Sequence, residues 1–474
     1  FVIGPEINAP NSIKNFRKES LVNLKRTLLA LAVVFSSVQA AYASQLEEIV
    51  TRAVLSSPEV KRSMDARNAV YEEVRQARGG FYPKIDIAAG VGYEWTKNTA
   101  TQNIGDGDVE LRRREASVSL RQMLFDGFLT DSEVDRHAYR LEANNHHLRE
   151  VAEEKALETT RAYLEVIKRQ ELLNQANETL YNHVRVYDQI RRRSESGLGT
   201  LASVQQATGR LALAEVNVLS AENNLRDSQV TFQRVVGAKA PDTLETPVFN
   251  LDVLPESESD SVKRATLNHP TLKLAQADVQ AAQAQYDSAR SLMYPKLNFE
   301  VDRNWNNNID GVEGDNEDLT AMFRLRYNLY NGGSDKARIR QTRHQINEAK
   351  DIKDNALRQT IESVGLSWNA YEILGRQLAF FEQHVDSSTQ TRDSYLKQFS
   401  IGQRSLLDLL DTENEVFASK NSLIAAKYDY LLSQYRLLNG MGEMLELLKV
   451  DLEPLASTSL PEDRFRAEQA APKS

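Results

Sequence analysis

The sequence predicts an α+β membrane protein built from two copies of one unit, each with a β-hairpin and a pair of long helices. Three observations lead to this fold class. The two halves share sequence landmarks, their apolar residues switch between a period of two and a period near 3.5, and two long windows, 84–240 and 296–453, lack proline. Since proline interrupts a helix interior at a cost of ~3 kcal/mol, each window has room for long helices.

The two halves match at constant offsets, 212 residues in their first part and 205 afterwards. The matching pairs are SPEVK (57–61) with HPTLK (269–273), ARGGFYPKI (77–85) with ARSLMYPKL (289–297), LFDG (124–127) with LYNG (329–332), Gly197 with Gly402, and Gly237 with Gly442. Self-similarity of this kind indicates an internal duplication. We assign residues 44–258 to the first repeat and 259–441 to the second, with 442–474 as a C-terminal segment.

Each repeat opens with a helix and continues into a stretch in which apolar and polar residues alternate. These stretches lie at about 81–125 and 294–330; in the second, the odd positions Leu297, Phe299 and Val301 are apolar and the even ones polar. A period of two with one apolar face predicts a β-hairpin. The charged face suits a watery lumen, whereas a soluble hairpin with one solvated face is the alternative.

Aromatic residues near the strand ends fit the interfacial girdles of membrane-spanning strands: Tyr82, Trp95, Tyr294, Trp305 and Tyr330. Four strands cannot close a membrane barrel, whose smallest form has ~8. Because an open sheet edge is not tolerated in lipid, the chain must then oligomerise. Two copies give eight strands without an open channel, whereas three give twelve and a usable lumen, so the strand count predicts a homotrimer.

Beyond each hairpin the apolar period becomes helical. The spacing is clearest at Ile361, Val364, Trp368, Tyr371 and Leu378. A spacing near 3.5 predicts long helices that pack as coiled coils. We expect helices at about 129–194 and 203–237 in the first repeat, and at about 334–399 and 405–439 in the second. The longest would run ~100 Å at ~1.5 Å per residue, which is more than a globular domain needs.

The N-terminal region carries the features of a secretory signal peptide. Lys25 and Arg26 precede the apolar run TLLALAVVF (27–35), and AYA at 41–43 supplies small residues for a cleavage site. We therefore expect residues 1–43 to be upstream sequence plus a signal peptide that is cleaved after Ala43. The apolar run is too short to cross ~30 Å of hydrocarbon as a transmembrane helix.

Composition argues against several classes of protein. The chain has no cysteine, which rules out disulfide scaffolds, thiolate metal sites and cysteine nucleophiles and fits an oxidising compartment. Its net charge of −9 comes from interspersed acids and bases, so it lacks the basic stripe of a nucleic-acid binder. The seven histidines include no H-E-x-x-H pattern, and we expect neither a metal nor another cofactor.

The paired YPKI and YPKL, the paired LFDG and LYNG, and the glycine-marked helical turns resemble the TolC family of outer-membrane channel proteins. The resemblance covers about residues 45–450. It implies a homotrimer in the outer membrane of a Gram-negative bacterium, in contact with its lipid. A transmembrane β-barrel of twelve strands, four from each protomer, would continue into a long periplasmic α-helical barrel. Residues 238–258 and the segment after Gly442 would form an equatorial domain, and loops near 97–110 and 306–318 would face outside.

The resemblance extends to IGQRSLLDLLD (401–411), where the family pattern G-x-R-x-x-x-D-x-x-D matches Gly402, Arg404, Asp408 and Asp411. It implies that the two aspartates form the constriction at the closed periplasmic end. It also implies that the arginine belongs to the links that hold this end shut.

The first helical turn departs from the pattern. Its glycine is Gly197, but Ser203 occupies a position that is often aspartate, and Phe399 lacks the hydroxyl of the tyrosine that can help to close the gate. A periplasmic adaptor is expected to dock at the two turns, on Gly197, Leu198, Gly199, Ser203, Gly402 and Ser405.

The residues alone leave other interpretations of these segments open. Asp408 and Asp411 share a helix face that is solvated or, in a trimer, part of an acidic ring; a catalytic pair is disfavoured because no histidine or nucleophile lies near. GLGTLA (197–202) fits a dinucleotide fingerprint, but a charged helix precedes it instead of a strand. NNNIDGVEGDNED (306–318) lacks the spacing of an EF-hand and is expected to be a solvated loop.

The resemblance implies a passive export duct and no enzyme activity. An inner-membrane ABC or other transporter would recruit the trimer through a periplasmic adaptor (membrane fusion) protein and supply the energy. The details are closest to the branch that serves type I secretion of a large protein such as an adhesin. Small-molecule or drug efflux through the same fold is the alternative. A non-channel periplasmic coiled-coil scaffold is an alternative from a different class, but an adaptor of that class would carry a lipoyl-like module instead of two long hairpins.

Overall fold

The computed structural model describes residues 45–104 and 107–452 of the 474-residue chain. The expected signal segment, 1–43, lies outside the described residues, as does the chain after 452. The helices are α1 (Gln45–Ser56), α2 (Pro58–Arg78), α3 (Thr99–Ile104), α4 (Leu129–Glu195), α5 (Leu201–Val236), α6 (Glu258–Asn268), α7 (Pro270–Arg290), α8 (Ser334–Ser400), α9 (Leu406–Met441) and α10 (Met444–Leu447). The strands are β1 (Lys84–Thr96), β2 (Val109–Phe125), β3 (Lys296–Ile309) and β4 (Val312–Arg326).

Corresponding helices of the two repeats have equal lengths. α4 and α8 each contain 67 residues, α5 and α9 each contain 36, and α2 and α7 each contain 21. α4 packs against α5, and α8 packs against α9, while α7 contacts both α4 and α8 and so joins the two repeats. The equal lengths are what a duplicated gene segment produces. None of the helices in residues 45–104 and 107–452 is both long and apolar enough to cross a membrane.

The four strands form one antiparallel sheet in the order β1-β2-β3-β4. Its central pair, β2 with β3, joins the two repeats, with Leu120 opposite Val301. Ile85 lies opposite Leu120, and Val301 lies opposite Ala321, so one row of apolar side chains crosses all four strands on one face. Because directly paired residues in a sheet point to the same side, this register separates an apolar face from a charged face.

The expectation of a loop at 306–318 is wrong. β3 runs to Ile309 and β4 begins at Val312, so Asp310 and Gly311 alone connect the strands. Both have positive φ (58° and 77°), which is the conformation of a tight hairpin turn. Asn, Asp and Gly tolerate this conformation, so the polar composition of the segment encodes a turn between strands and not a long loop. Only the first hairpin has a long connection, which contains α3.

The main core lies where the shorter helices and the chain between α5 and α6 pack around α4. Tyr163 of α4 is fully buried. Its hydroxyl lies 2.7 Å from the carbonyl of Glu245 and 2.9 Å from Oε1 of Gln45. The same Oε1 accepts the backbone N–H of Glu245 at 2.8 Å, and Nε2 of Gln45 donates to the carbonyl of Thr243. These hydrogen bonds fix the segment 238–258 against α1 and α4.

A buried carboxylate anchors the chain after α9. Glu153 of α4 is 2% exposed and accepts the backbone N–H groups of Met444 and Leu445 at 3.1 and 3.4 Å. Burial raises the pKa of this carboxyl from its ordinary value to about 7, although the two N–H groups and Arg149 oppose that shift. Arg149 also donates to the carbonyl of Gly442 at 3.3 Å. The attachment of the start of α10 to α4 therefore depends on whether the Glu153 carboxyl is protonated.

We predict that Glu153 makes folding stability fall as pH rises through the interval from about 4.5 to about 7. In this interval Glu153 keeps its proton in the folded protein and loses it in the unfolded chain. Protonated Glu153 therefore contributes to the free energy of unfolding below pH 4.5, and this contribution, up to about 3 kcal/mol, is lost as pH rises to about 7. The difference in unfolding temperature between wild type and Glu153→Gln should therefore decrease from pH 5 to pH 7.5, measured on detergent-solubilised protein.

Glu48→Gln is the control for this prediction because Glu48 is an exposed carboxylate of α1, paired with Arg52. The difference in unfolding temperature between Glu48→Gln and wild type should stay nearly constant with pH. A difference for Glu153→Gln that does not change between pH 5 and pH 7.5 would contradict the coupling.

Candidate functional site

Both pairs of long helices end in the same kind of turn. Gly197 after α4 and Gly402 after α8 adopt φ of 78° and 79°, a left-handed conformation that favours glycine. In each turn the residue after the glycine donates its N–H to a carbonyl five residues earlier: Leu198 to Arg193, and Gln403 to Gln398, both at 2.9 Å. This bond pattern terminates a helix and reverses the chain. The two turns lie at one end of the molecule, which we call the tip.

The next helix of each pair begins with a side-chain cap. Ser405 Oγ accepts the N–H of Asp408 at 3.2 Å, and Asp408 Oδ2 accepts the N–H of Ser405 at 3.4 Å, which forms a capping box. In the first turn, Thr200 Oγ1 accepts the N–H of Ser203 at 3.2 Å. The first turn is therefore capped by Thr200 alone, and Ser203 occupies the position of Asp408 without its carboxylate.

A small apolar cluster holds the two turns side by side. Leu409 and Leu410 of α9 are buried against Val186 and Ile190 of α4 and Ala207 of α5. Leu409 is completely inaccessible to solvent. Because this cluster joins residues of both repeats, it fixes the relative position of the polar side chains around it.

The two aspartates of the tip have different surroundings. The Asp411 side chain is 59% exposed, and its Oδ1 lies 3.2 Å from Nη2 of Arg210, which belongs to α5. The Asp408 side chain is 42% exposed and lies 3.8 Å from Nη1 of Arg404. Asp411 is thus linked to the first repeat, whereas Asp408 belongs to the cap of its own helix. The hydroxyls of Ser405 and Thr412 lie beside Asp408 and bond to backbone groups at the start of α9.

Arg404 is held by its own pair of helices. Its guanidinium lies 4.2 Å from the centre of the Tyr395 ring, and its Nε donates to Oε1 of Gln398 at 3.0 Å. It also faces a groove of about 240 Å³ between the turns, to which Leu198, Gly199 and Gly402 contribute. The expectation that Arg404 belongs to the links that hold the periplasmic end shut stays a prediction.

Arg193 makes the contact between the two turns that the sequence did not reveal. Its Nη1 donates to the carbonyl of Phe399 at 3.1 Å, and its guanidinium lies 5.1 Å from the centre of the Phe399 ring. Phe399 thus takes part in a cross-repeat contact through its carbonyl and its ring, with no need for a hydroxyl. Arg193 sits in the run QIRRRSESG, where the pattern gives no reason to select one arginine over its neighbours.

The expected girdle residues lie at two levels of the sheet. Trp95 and Trp305 are near the ends of β1 and β3 that are remote from the helices, while Tyr82 and Tyr294 directly precede the same strands and Tyr330 follows β4. All five side chains are at least 41% exposed. The two levels match the geometry of an interfacial girdle, and the lipid contact itself stays a prediction.

Two other candidate segments have ordinary structural roles. GLGTLA (197–202) forms the first turn and follows a helix, so it lacks the preceding strand that dinucleotide binding requires. Across residues 45–104 and 107–452, no group of three or more His, Asp or Glu side chains is close enough to hold a metal ion.

The structure combines long paired helices, a four-stranded sheet with one apolar face and two helical turns at the tip. The sequence matches a known family. The family model described as outer membrane efflux protein matches residues 49–238 and 262–443. The chain belongs to this family. Its members are channel proteins of the Gram-negative outer membrane, with the helical part in the periplasm, so the predicted resemblance, fold class and location are confirmed.

Three curated relatives illustrate the family. The outer membrane efflux protein BepC of Brucella suis is 24% identical over 88% of this chain and 91% of its own length. The outer membrane protein TolC of Escherichia coli is 23% identical over 85% of this chain and 83% of its own. The alkaline protease secretion protein AprF of Pseudomonas aeruginosa is 22% identical over 85% of each chain.

A solved structure shows the same fold. The outer membrane protein VceC from Vibrio cholerae superposes with a TM-score of 0.71 over 84% of this chain and 96% of its own, at 17% identity. The protomer of the family channel is therefore present here over nearly the whole described chain.

We predict that the apolar cluster at the tip controls how often the turns open. Leu409→Ala removes a fully buried side chain and should destabilise the tip by about 3 kcal/mol. Leu407→Ala removes a side chain that is 51% exposed and should cost less than about 0.5 kcal/mol. Hydrogen exchange of the amides at 186–210 and 398–412 should accelerate strongly in the first variant only; equal rates in both would contradict this role.

Proposed function

We propose that three copies of this chain form the outer-membrane exit duct of a tripartite export system, gated at the tip. Membership of the outer membrane efflux protein family supports the duct. The observation that carries the gate is the placement of Asp408 and Asp411 on one exposed face at the start of α9, directly beside the turns. In this proposal the protein acts as a conduit and needs no enzyme activity of its own.

The gate follows from the symmetry of the assembly. Around a threefold axis, two carboxylates from each protomer give a ring of six. Such a ring attracts cations and repels anions, as acidic rings in channels do. Arg210 neutralises part of the charge of Asp411, and the capping box holds Asp408 in place. The ring thus contains two kinds of carboxylate. Asp408 is held in place by the cap, and the charge of Asp411 is partly neutralised by Arg210 of the first repeat.

The tip also supports the proposed docking of a periplasmic adaptor. The groove between the turns is lined by Leu198, Gly199 and Gly402, and Leu198 is 77% exposed. Gly197, Ser203 and Ser405 shape the two turns at its sides. An adaptor that binds here contacts both repeats at once and so can respond to their separation. The inner-membrane partner of such an adaptor would be an ABC or other transporter that supplies the energy.

Type I secretion of a large protein such as an adhesin is the function that we favour within the duct class. AprF, whose name assigns it to secretion of alkaline protease, supports export of a protein. BepC, named as an efflux protein, supports the second candidate, export of small molecules or drugs. A non-channel coiled-coil scaffold is disfavoured because the apolar face of the sheet is exposed along its two edge strands, β1 and β4.

We predict that Asp408→Asn/Asp411→Asn weakens block of the channel by divalent cations at least about tenfold and changes its conductance. Asparagine keeps an oxygen that can accept the N–H of Ser405, so the cap should persist. Arg210→Gln has the opposite effect: it frees the charge of Asp411 and should tighten block by up to about fivefold, the limit for an exposed ion pair. Single-channel recordings of purified trimers in planar bilayers measure both.

The double aspartate variant and Arg210→Gln must shift block in opposite directions. Conductance and block that match the wild type in both variants would refute an electrostatic gate while leaving the duct itself intact.

We predict that deletion of the gene abolishes surface display of a large secreted protein and changes the minimal inhibitory concentrations of drugs by less than about twofold. Cell-surface proteomics and susceptibility assays on the same strain distinguish the two cargo classes, with the intact gene on a plasmid as control. Retained surface proteins together with greater drug sensitivity would favour small-molecule efflux.

A further inference from the structure

The apolar face of the sheet changes character at its outer end. Nearer the helices it carries exposed apolar side chains, for example Ile87 on β1 and Phe323 on β4. The same face of β2 continues through Val118 and Ala116 to Arg114 and Arg112. Two arginines thus follow the apolar band on one strand, at the end of the sheet that is remote from the helices.

The register places these arginines at the level of the outer aromatic residues. Arg112 lies opposite Tyr93 and Arg114 lies opposite Val91 on β1, while Asn307 of β3 lies opposite Arg114 on the other side. The Arg112 guanidinium is 5.6 Å from the centre of the Tyr93 ring. Aromatic side chains at such a boundary are typical of the interface between hydrocarbon and headgroups, so we expect both guanidinium groups to lie at headgroup level in the outer leaflet.

The arginines on this face differ from their neighbour on the other face. Arg113, between them, points to the charged face and forms ion pairs with Glu94 at 2.7 Å and Glu115 at 2.8 Å. Arg112 and Arg114 are exposed, and the described residues give neither of them an ion-pair partner. Carboxylates of β1 and β2 therefore pair with Arg113 on the charged face, while Arg112 and Arg114 on the apolar face have no such pairing.

A third arginine on this face lies deeper, within the apolar band opposite Val118 and Leu319, and is already neutralised. Arg303 of β3 lies on the same face, forms an ion pair with Glu317, and stacks 5.1 Å from the centre of the Trp305 ring. Glu110, opposite Trp95, lies further out on β2. Among the described strand residues of this face, the arginines without an ion-pair partner are thus Arg112 and Arg114, which are two residues apart and point the same way.

We propose that Arg112 and Arg114 form a docking site for the phosphate groups of a phosphorylated glycolipid in the outer leaflet. A guanidinium at the edge of hydrocarbon gains most from an anion that accepts two parallel hydrogen bonds, and phosphate fits that geometry. The apolar band directly below accommodates acyl chains. The site thus places two guanidinium groups next to the apolar band. A phosphate that is carried by a lipid can use both, whereas free phosphate can use only the guanidinium groups. In the trimer the site occurs three times around the barrel.

The test uses purified full-length trimers in mild detergent, titrated with lipopolysaccharide and followed by native mass spectrometry. Wild type should retain the lipid, and Arg112→Gln/Arg114→Gln should bind it at least about tenfold more weakly. Arg112→Lys/Arg114→Lys should fall between the two, because lysine keeps the charge and loses the two-pronged geometry. Arg121→Gln is the matched control, since Arg121 lies on the same strand and on the opposite face, opposite Lys84.

The titration is repeated on the wild type with phosphatase-treated lipopolysaccharide and in the presence of millimolar inorganic phosphate. Loss of binding on dephosphorylation, with no competition by inorganic phosphate, supports a lipid-borne phosphate. Equal binding of both lipid forms would overturn the proposal whatever the variants do, as would wild-type affinity in the double glutamine variant. Competition by inorganic phosphate would show a general anion site and equally refute a lipid site. Channel recordings of the same samples are independent of this outcome, so failure of the lipid site does not bear on the duct.

Discussion

The unpaired edges of the four-stranded sheet are the constraint on which the rest of the structure depends. Among the residues that the structure describes, β1 and β4 are each paired on one side only. In hydrocarbon each unsatisfied backbone group costs several kcal/mol, so these edges must pair with β4 and β1 of neighbouring copies. That requirement makes the assembly closed and symmetric. It also carries the helices around a common axis, because α4 and α8 follow β2 and β4 within a few residues.

Symmetry turns minor features of one chain into properties of the assembly. A single carboxylate at the tip has little effect, but the same carboxylate repeated around an axis forms a ring. Asp408 illustrates the compromise that follows, because its carboxylate both accepts the N–H of Ser405 and contributes charge to the tip. In the first turn the hydroxyl of Thr200 caps the helix while Ser203, at the position of Asp408, is uncharged, so a turn of this kind forms without a carboxylate.

The sequence predicted those parts of the fold that depend on local patterns. Alternation of apolar and polar residues predicted the strands, and repeated short motifs predicted the duplication. Both signals can be recognised within a few consecutive residues. The turn at Asp310 and Gly311 was mistaken for a loop, since a polar run can equally encode a strand that continues into solvent. At the tip, Asp408 and Asp411 followed from the family pattern. Arg193 and Arg210 did not, because their partners Phe399 and Asp411 are about 200 residues away.

The arginines of the charged face and the two at the outer end of the apolar face are satisfied in different ways, and the reason is the medium that each meets. On the charged face, Glu300 is nearly buried and lies within 3.5 Å of Arg121, Arg324 and Arg326, so protein carboxylates hold the cations in place. On the opposite face, Glu317 is compensated by Arg303 within the apolar band, whereas a carboxylate paired with Arg112 or Arg114 would repel anionic headgroups. An arginine at the rim gains more from a headgroup than from a fixed acid. The absence of an ion-pair partner for Arg112 and Arg114 among the described residues is therefore expected of a surface whose counter-ion belongs to the membrane.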